Sequence, residues 1–246
     1  GSSTDFGRHG AILVGDFLFS AATAAADEHA LALREDCARA FSRRFADMHA
    51  EVALGQYLDI TAEQTPLDPE RTDALSTSDS LEVALHKSAH YSVVHPALLG
   101  AICGASSFDC VADLLDVLET ILTPWGLAFQ LRDDDLGVFG DPAVTGKPAG
   151  DDLREGKRTA LLALTWEASS PAERRALTDV LGVAEASAEQ IATATDIVER
   201  NGRAAHEAEI ARLVADGDAA LEASTFDEDA RAMLRELCSI LTARRA

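Results

Sequence analysis

The stretch FQLRDDDLGVFGDPAVTGKPAGDDLREGKRT, Phe129 to Thr159, sets three aspartates a short way upstream of two lysines, Lys147 and Lys157, each preceded by glycine. A carboxylate block beside a cation clamp is the pairing a diphosphate requires, because carboxylate oxygens hold a divalent cation while ammonium groups meet phosphate oxygens. The block falls at the end of a long helical pattern. Asp133 and Asp134 are adjacent there, about 100° apart around a helix axis, so both can reach one cavity while Asp135 turns away to stay wet. With no His or Cys nearby, these hard oxygens favour Mg²⁺. Read alone, an aspartate triplet is usually a solvated surface patch.

The residues that follow give the block its context. Gly137, Gly140, Pro142, Gly146, Pro148 and Gly150 make a loop that cannot continue the helix, and it carries Lys147 before Asp151 and Asp152 open another. Lys157 is expected on the first turns of that helix. The two lysines hold phosphate oxygens on one reading and neutralise neighbouring acids on the other.

Outward from this stretch the chain reads as helix after helix. Few segments alternate apolar and polar residues as half-buried strands would. The patterns predict an all-α single domain over 1–246, with helices near 7–29, 31–61, 79–90, 92–105, 109–139, 151–169, 171–181, 186–201, 203–223 and 227–244. Pro66 and Pro69 mark a loop, Pro96 a helix start or kink, Pro124 a break or bend, and Pro171 a first helical turn. In EVALGQYLDI, Glu51, Gly55 and Asp59 share one helix face, and Gly55 permits a close approach by a second helix. Lys87 and Ser88 lie in LHKSAHYSVVHPALLGA at the end of a helical segment, and a lone lysine there would ordinarily be on the surface.

Bulk properties narrow the partners. The formal net charge of −21 over 246 residues repels nucleic acid and anionic membrane surfaces, so an anionic substrate must be met locally. The four cysteines, Cys37, Cys103, Cys110 and Cys238, show no metal-site spacing and read as reduced core residues of a cytoplasmic protein. The most apolar stretch, Ala11 to Ala26, is interrupted by Asp16 and is expected to be a buried helix with no membrane span.

GRHGAILVGDFLF, EVALGQYLDI, KSAHYSVVHPALLGA and the Phe129–Thr159 run, in that order, resemble the trans-isoprenyl diphosphate synthases, the polyprenyl synthetases that include farnesyl and geranylgeranyl diphosphate synthases. The resemblance covers about residues 6 to 165. It implies the isoprenoid synthase fold, a helical bundle around a central cavity. It also implies Mg²⁺ as cofactor, with Asp133 and Asp134 as metal ligands and Asp151 supporting the metal shell through water. Lys87, Lys147 and Lys157 match diphosphate-contacting lysines, Gln130 a substrate-contacting glutamine, and Ser88 the hydroxyl residue beside the first lysine. The implied reaction joins an allylic prenyl diphosphate to isopentenyl diphosphate, and a homodimer is implied as well.

Two departures accompany the resemblance. Gly137 stands where many members carry the last aspartate of this motif. The family's first aspartate-rich motif should precede GRHGAILVGD, yet only GSSTDFGRH precedes Gly10, with Asp5 its one aspartate. The expectation is therefore a chain without its N-terminal helices, poorly active by itself and of unreadable product length. A non-catalytic partner subunit is the alternative, and a class I terpene cyclase is disfavoured because the metal motif of that type is absent.

Overall fold

A computed structural model describes residues 3–146 and 150–243, and Lys147 lies outside the described residues. Among these residues every regular element is helical. The order is α1 (Ser3–Ala30), α2 (Glu35–Gln64), a 3₁₀ turn (Thr72–Ala74), α3 (Thr77–Ala84), a π-helix (Leu85–Val94), α4 (His95–Gly104), α5 (Ala112–Phe139) and α6 (Pro142–Thr145). There follow α7 (Asp151–Glu155), α8 (Ala160–Ala168), α9 (Pro171–Thr178), α10 (Ala188–Asn201), α11 (Arg203–Ala223) and α12 (Glu228–Thr242).

α5 is the axis of the bundle, with α11 on one side and the π-helix on the other, and α2 packs on the far side of the π-helix. Trp125, Ile121 and Leu122 of α5 are fully buried among Val94, Leu98 and Leu221. Glycines set two of these approaches. A Cβ at Gly217 of α11 would meet the Trp125 ring, and one at Gly126 of α5 would lie 3.0 Å from the carbonyl oxygen of Ala89. The indole N–H of Trp125 donates to the carbonyl of Val214 at 3.3 Å. A second cluster, with Trp166, Leu161, Leu177 and Val198, closes the end where α8, α9 and α10 meet. Pro171 sits in the first turn of α9 as expected, behind a Ser170–Glu173 capping box.

Four expectations are corrected. The predicted boundary between 79–90 and 92–105 does not exist, because the chain widens into a π-helix and runs on into α4, with Pro96 in its first turn. Pro124 lies inside α5 without breaking it, in keeping with the continuous helix expected over 109–139. The predicted helix over 151–169 is split, since Gly156 takes φ 82° at the end of α7 and packs on the Gly182 backbone. Of the cysteines, all free, Cys37 and Cys238 are buried, but Cys110 is exposed and Cys103 half-buried. Finally, α1 is not a buried helix: Phe6, Leu13 and Phe17 are 81%, 68% and 70% exposed. By length and composition Thr4–Ala30 is long and apolar enough to cross a membrane, so the stretch does not fall short of that requirement.

Asp135 also departs from expectation. It is 3% exposed, where a solvated bystander was expected. Its carboxylate meets Arg203 Nε of α11 at 3.2 Å and Arg132 at 3.8 Å. Arg132 in turn pairs with Glu207 at 2.5 Å, and the Arg203 guanidinium lies 4.2 Å from the centroid of the Phe139 ring. The rotation that brings Asp133 and Asp134 to the cavity sends Asp135 toward α11. Asp135→Ala leaves two arginines without this partner, so a loss of about 3 kcal/mol is expected, read as a lowered urea midpoint at unchanged slope.

Candidate functional site

The C-terminal third of α5, the start of the π-helix and the turn after α7 enclose a cavity of about 210 Å³. Asp133 and Asp134 line it from α5, Lys87 from the π-helix, and Asp59 from α2. Asp152, Lys157 and Arg158 close the opposite wall. Four carboxylates and three cations thus face one small space.

Gln130 positions Asp134 from one helical turn before it, its amide donating to Asp134 Oδ1 at 2.8 Å. Asp134 is 5% exposed whereas Asp133 is exposed at the mouth. Burial pushes the Asp134 carboxyl up to about 8; Asp152 and Asp133 add to this, while the Gln130 hydrogen bond and the Lys157 charge oppose it.

Asp152 is the residue that sequence reasoning missed. A Cβ at Gly137 would lie no farther than 3.0 Å from any of the three atoms of the Asp152 carboxyl group, so the carboxylate fills the volume that a side chain at 137 would take. The absent aspartate of the motif was the available signal, because a site that drops one carboxylate invites a search for another. Lys157 Nζ donates to Asp152 Oδ1 at 2.5 Å and meets Glu155 at 3.1 Å. Burial lowers the Lys157 pKa, but its hydrogen bond and charge pairing with Asp152, joined by Glu155, outweigh that and raise it above the ordinary lysine range. Lys157 sits in the turn beyond α7, not on the helix as expected, and its backbone N–H donates to the Asp152 carbonyl at 3.1 Å. Arg158 donates to the carbonyls of Gly156 at 2.8 Å and Glu63 at 3.4 Å, and was not anticipated either.

Lys87 forms an ion pair with Asp59, so the lone lysine of the sequence is a partly buried member of the cavity wall. Its place depends on Gly55, the glycine expected to admit a close helix: a Cβ there would lie 2.6 Å from the His86 carbonyl carbon and 2.7 Å from the Lys87 Cα. One turn earlier on α2, Glu51 accepts hydrogen bonds from His86 and His90 at 2.6 Å and from His95 at 2.7 Å. Burial alone would raise the Glu51 carboxyl, but the hydrogen bonds from His95, His86 and His90 hold it down at about 2. Ser88 is half-buried beside Lys87 and is not among the residues lining this cavity. Asp151 is not among them either; its carboxylate meets Arg154 at 3.5 Å.

The donor set fits a hard divalent cation. Asp133, Asp134 and Asp152 converge with no imidazole or thiol lining the cavity, and the buried Asp134 carboxyl ionises reluctantly without an added positive charge. The cations opposite suit an anionic ligand that bridges to that ion.

Residues 2–198 match the family described as polyprenyl synthetase. A geranylfarnesyl diphosphate synthase from Aeropyrum pernix is 31% identical over 198 residues, 80% of this chain and 57% of its own length. A geranylgeranyl diphosphate synthase from Mycobacterium tuberculosis is 30% identical over 233 residues, 93% of this chain and 61% of its own length. Among solved structures, a geranylgeranyl pyrophosphate synthase from Corynebacterium glutamicum, complexed with isoprenyl diphosphate and magnesium, superposes with a TM-score of 0.75. It is 38% identical, and the match covers 87% of this chain and 57% of that one. The chain thus spans little more than half the length of the relatives it matches.

Proposed function

The chain belongs to the polyprenyl synthetase family, and on that premise we propose that it serves the head-to-tail condensation of an allylic diphosphate with isopentenyl diphosphate, giving a longer prenyl diphosphate of the farnesyl or geranylgeranyl class. The observation that carries the reading is the meeting of Asp133, Asp134 and Asp152 with Lys87 and Lys157 in one cavity. Mg²⁺, held by Asp133, Asp134 and Asp152, would when bound neutralise the diphosphate and favour its departure.

The side chains do the rest. Lys157, whose proton is held tightly by Asp152 and Glu155, remains an ammonium donor to phosphate oxygens. Lys87 donates from the opposite wall, with Asp59 fixing its ammonium. Both are placed where negative charge accumulates as the allylic C–O bond breaks, so they stabilise the transition state more than the bound substrate. Gln130 keeps one oxygen of Asp134 occupied and the carboxylate turned into the cavity. Attack by the isopentenyl double bond on the allylic carbon, then loss of a proton, completes the condensation. Lys147 and Ser88 belong to this reading as substrate-side residues and Asp151 as a support of the metal shell through water, Ser88 and Asp151 acting from outside the cavity lining.

Cytoplasmic location, absence of a membrane span and homodimerisation belong to the same reading. The exposed apolar face of α1 suits burial against a second copy, and sedimentation would measure it. The function is tested by incubating the chain with Mg²⁺, labelled isopentenyl diphosphate and an allylic diphosphate, alongside calorimetric titration with an allylic diphosphate analogue. Elongated product, or Mg²⁺-dependent binding lost on Lys157→Ala, supports the proposal. Neither product nor Mg²⁺-dependent binding would sink it.

A further inference from the structure

The diphosphate reading leaves unused a cluster in which three of the seven histidines converge on a single carboxylate. His86 Nδ1 and His90 Nδ1 lie 2.6 Å from Glu51 Oε1, and His95 Nε2 lies 2.7 Å from Oε2. The donor atoms of Glu51, His90 and His95 all fall within 4.8 Å of one another. None of the four residues lines the diphosphate cavity. His95 is almost wholly buried, and the other three are only partly open to solvent.

The π-helix makes this convergence. His86, His90 and His95 are spaced by four and then five residues. At the 3.6 residues per turn of an α-helix, His95 would point away from His86, because nine residues end half a turn out of phase. A backbone closing bonds between residues five apart makes one turn in four to five residues, which sets all three imidazoles on one face. The His95 N–H bonding the carbonyl of His90, five residues earlier, is that pattern. π-helical backbone is rare, mostly single-turn, and frequent at functional sites. This one runs for ten residues, with Gly55 letting it lie against the face of α2 that carries Glu51.

Imidazole nitrogens with one carboxylate suit borderline first-row divalent ions, whereas Mg²⁺ prefers oxygen alone. We propose that Glu51, His90 and His95, with His86 as a fourth donor, form a binding site for a transition-metal ion such as Zn²⁺, separate from the diphosphate cavity. The ion takes the place of the hydrogen bonds now joining imidazole to carboxylate. Metal–ligand bonds of about 2.0–2.1 Å set tetrahedral donors roughly 3.3 Å apart, so the short imidazole–carboxylate contacts lengthen on binding while the wider donor separations, within 4.8 Å, draw in. The bound ion staples α2, the π-helix and α4 together beside Lys87, the residue next to His86 in the chain. Its role is to fix the position of that lysine.

The test is titration of the untagged chain with Co²⁺ in excess Mg²⁺, followed by visible absorption. One equivalent should develop the intense bands of nitrogen-ligated, low-coordinate cobalt, and Zn²⁺ should erase them. His90→Asn and His95→Gln each keep an amide donor facing Glu51, so the fold is retained while a ligand is lost. Each should weaken Co²⁺ binding at least tenfold, and Asp133→Asn should leave the bands unchanged. Should a variant not fold, hyperfine-shifted imidazole resonances of the cobalt-loaded parent chain count the bound histidines directly, and two or three are expected. Absent bands, bands that persist in both histidine variants, bands lost in Asp133→Asn, or no shifted imidazole signal would overturn the proposal. The outcome is independent of diphosphate binding, so the two readings fail separately.

Discussion

Asp134→Ala is expected to weaken Mg²⁺-dependent binding of a prenyl diphosphate by roughly 10²–10³-fold, and to lower turnover at least as far in a form of the protein that condenses. The size follows from burial. Asp134 is the most enclosed carboxylate of the cavity, held by Gln130 at 2.8 Å, and a charge removed from a low-dielectric site is not replaced by water. Calorimetric titration with a diphosphate analogue measures it, and affinity within threefold of the parent would remove Asp134 from the site.

The same burial carries a second consequence with a definite sign. A carboxyl raised from 3.8 to about 8 in the folded chain binds its proton more tightly there than when unfolded, so its contribution to stability falls as pH rises from about 4 through 8. Asp134→Asn removes the charge and keeps the shape. The metal-free variant should therefore melt higher than the parent at pH 8 and near it at pH 4, although it binds ligand poorly. A variant that melts lower at pH 8 would contradict this account of the carboxylate.

Gly55→Ala is expected to be strongly destabilising although it adds only one methyl group. The added carbon would enter the backbone of His86 and Lys87, 2.6 Å from one carbonyl carbon and 2.7 Å from a Cα, where no side chain can rotate aside. α2 and the π-helix must separate, and with them go the Lys87–Asp59 pair and the bonds from His86, His90 and His95 to Glu51. A loss of about 3 kcal/mol or more follows from overpacking against backbone with polar contacts broken. Thermal melting reads the stability, and the calorimetric titration reads the accompanying loss of diphosphate affinity. Retained stability would mean that the two helices approach less closely than the structure places them.

The two residues differ in how visible they were. Asp134 was legible because adjacent aspartates ending an apolar helical run, followed by a glycine-rich loop with lysine, form a local pattern whose chemistry is read without knowing the fold. Gly55 was legible in its role, a close approach, but not in its partner, since nothing in EVALGQYLDI names the π-helix. Asp152 went unread because its function depends on the space above Gly137, fifteen residues earlier in the chain and on another helix. Asp135 was misread for a similar reason: a helical wheel says that it turns away from its neighbours, not that α11 brings Arg203 to meet it. The histidine cluster escaped because its spacing has the wrong period for an α-helix.

Periodicity, glycine and proline placement and one dense motif therefore determined by themselves the all-helical class, the order of most helices and the family. These are local properties, set by side-chain spacing and backbone preference within a few residues. Only tertiary structure decided which carboxylates share the cavity, that Asp152 stands in for a side chain at 137, that α1 exposes its apolar face, and that Glu51 gathers three histidines. Each of these depends on residues far apart in sequence packing within a few ångströms, and the widened turn at Leu85–Val94 follows no short-range rule. Long-range packing, not local preference, chose the faces that meet.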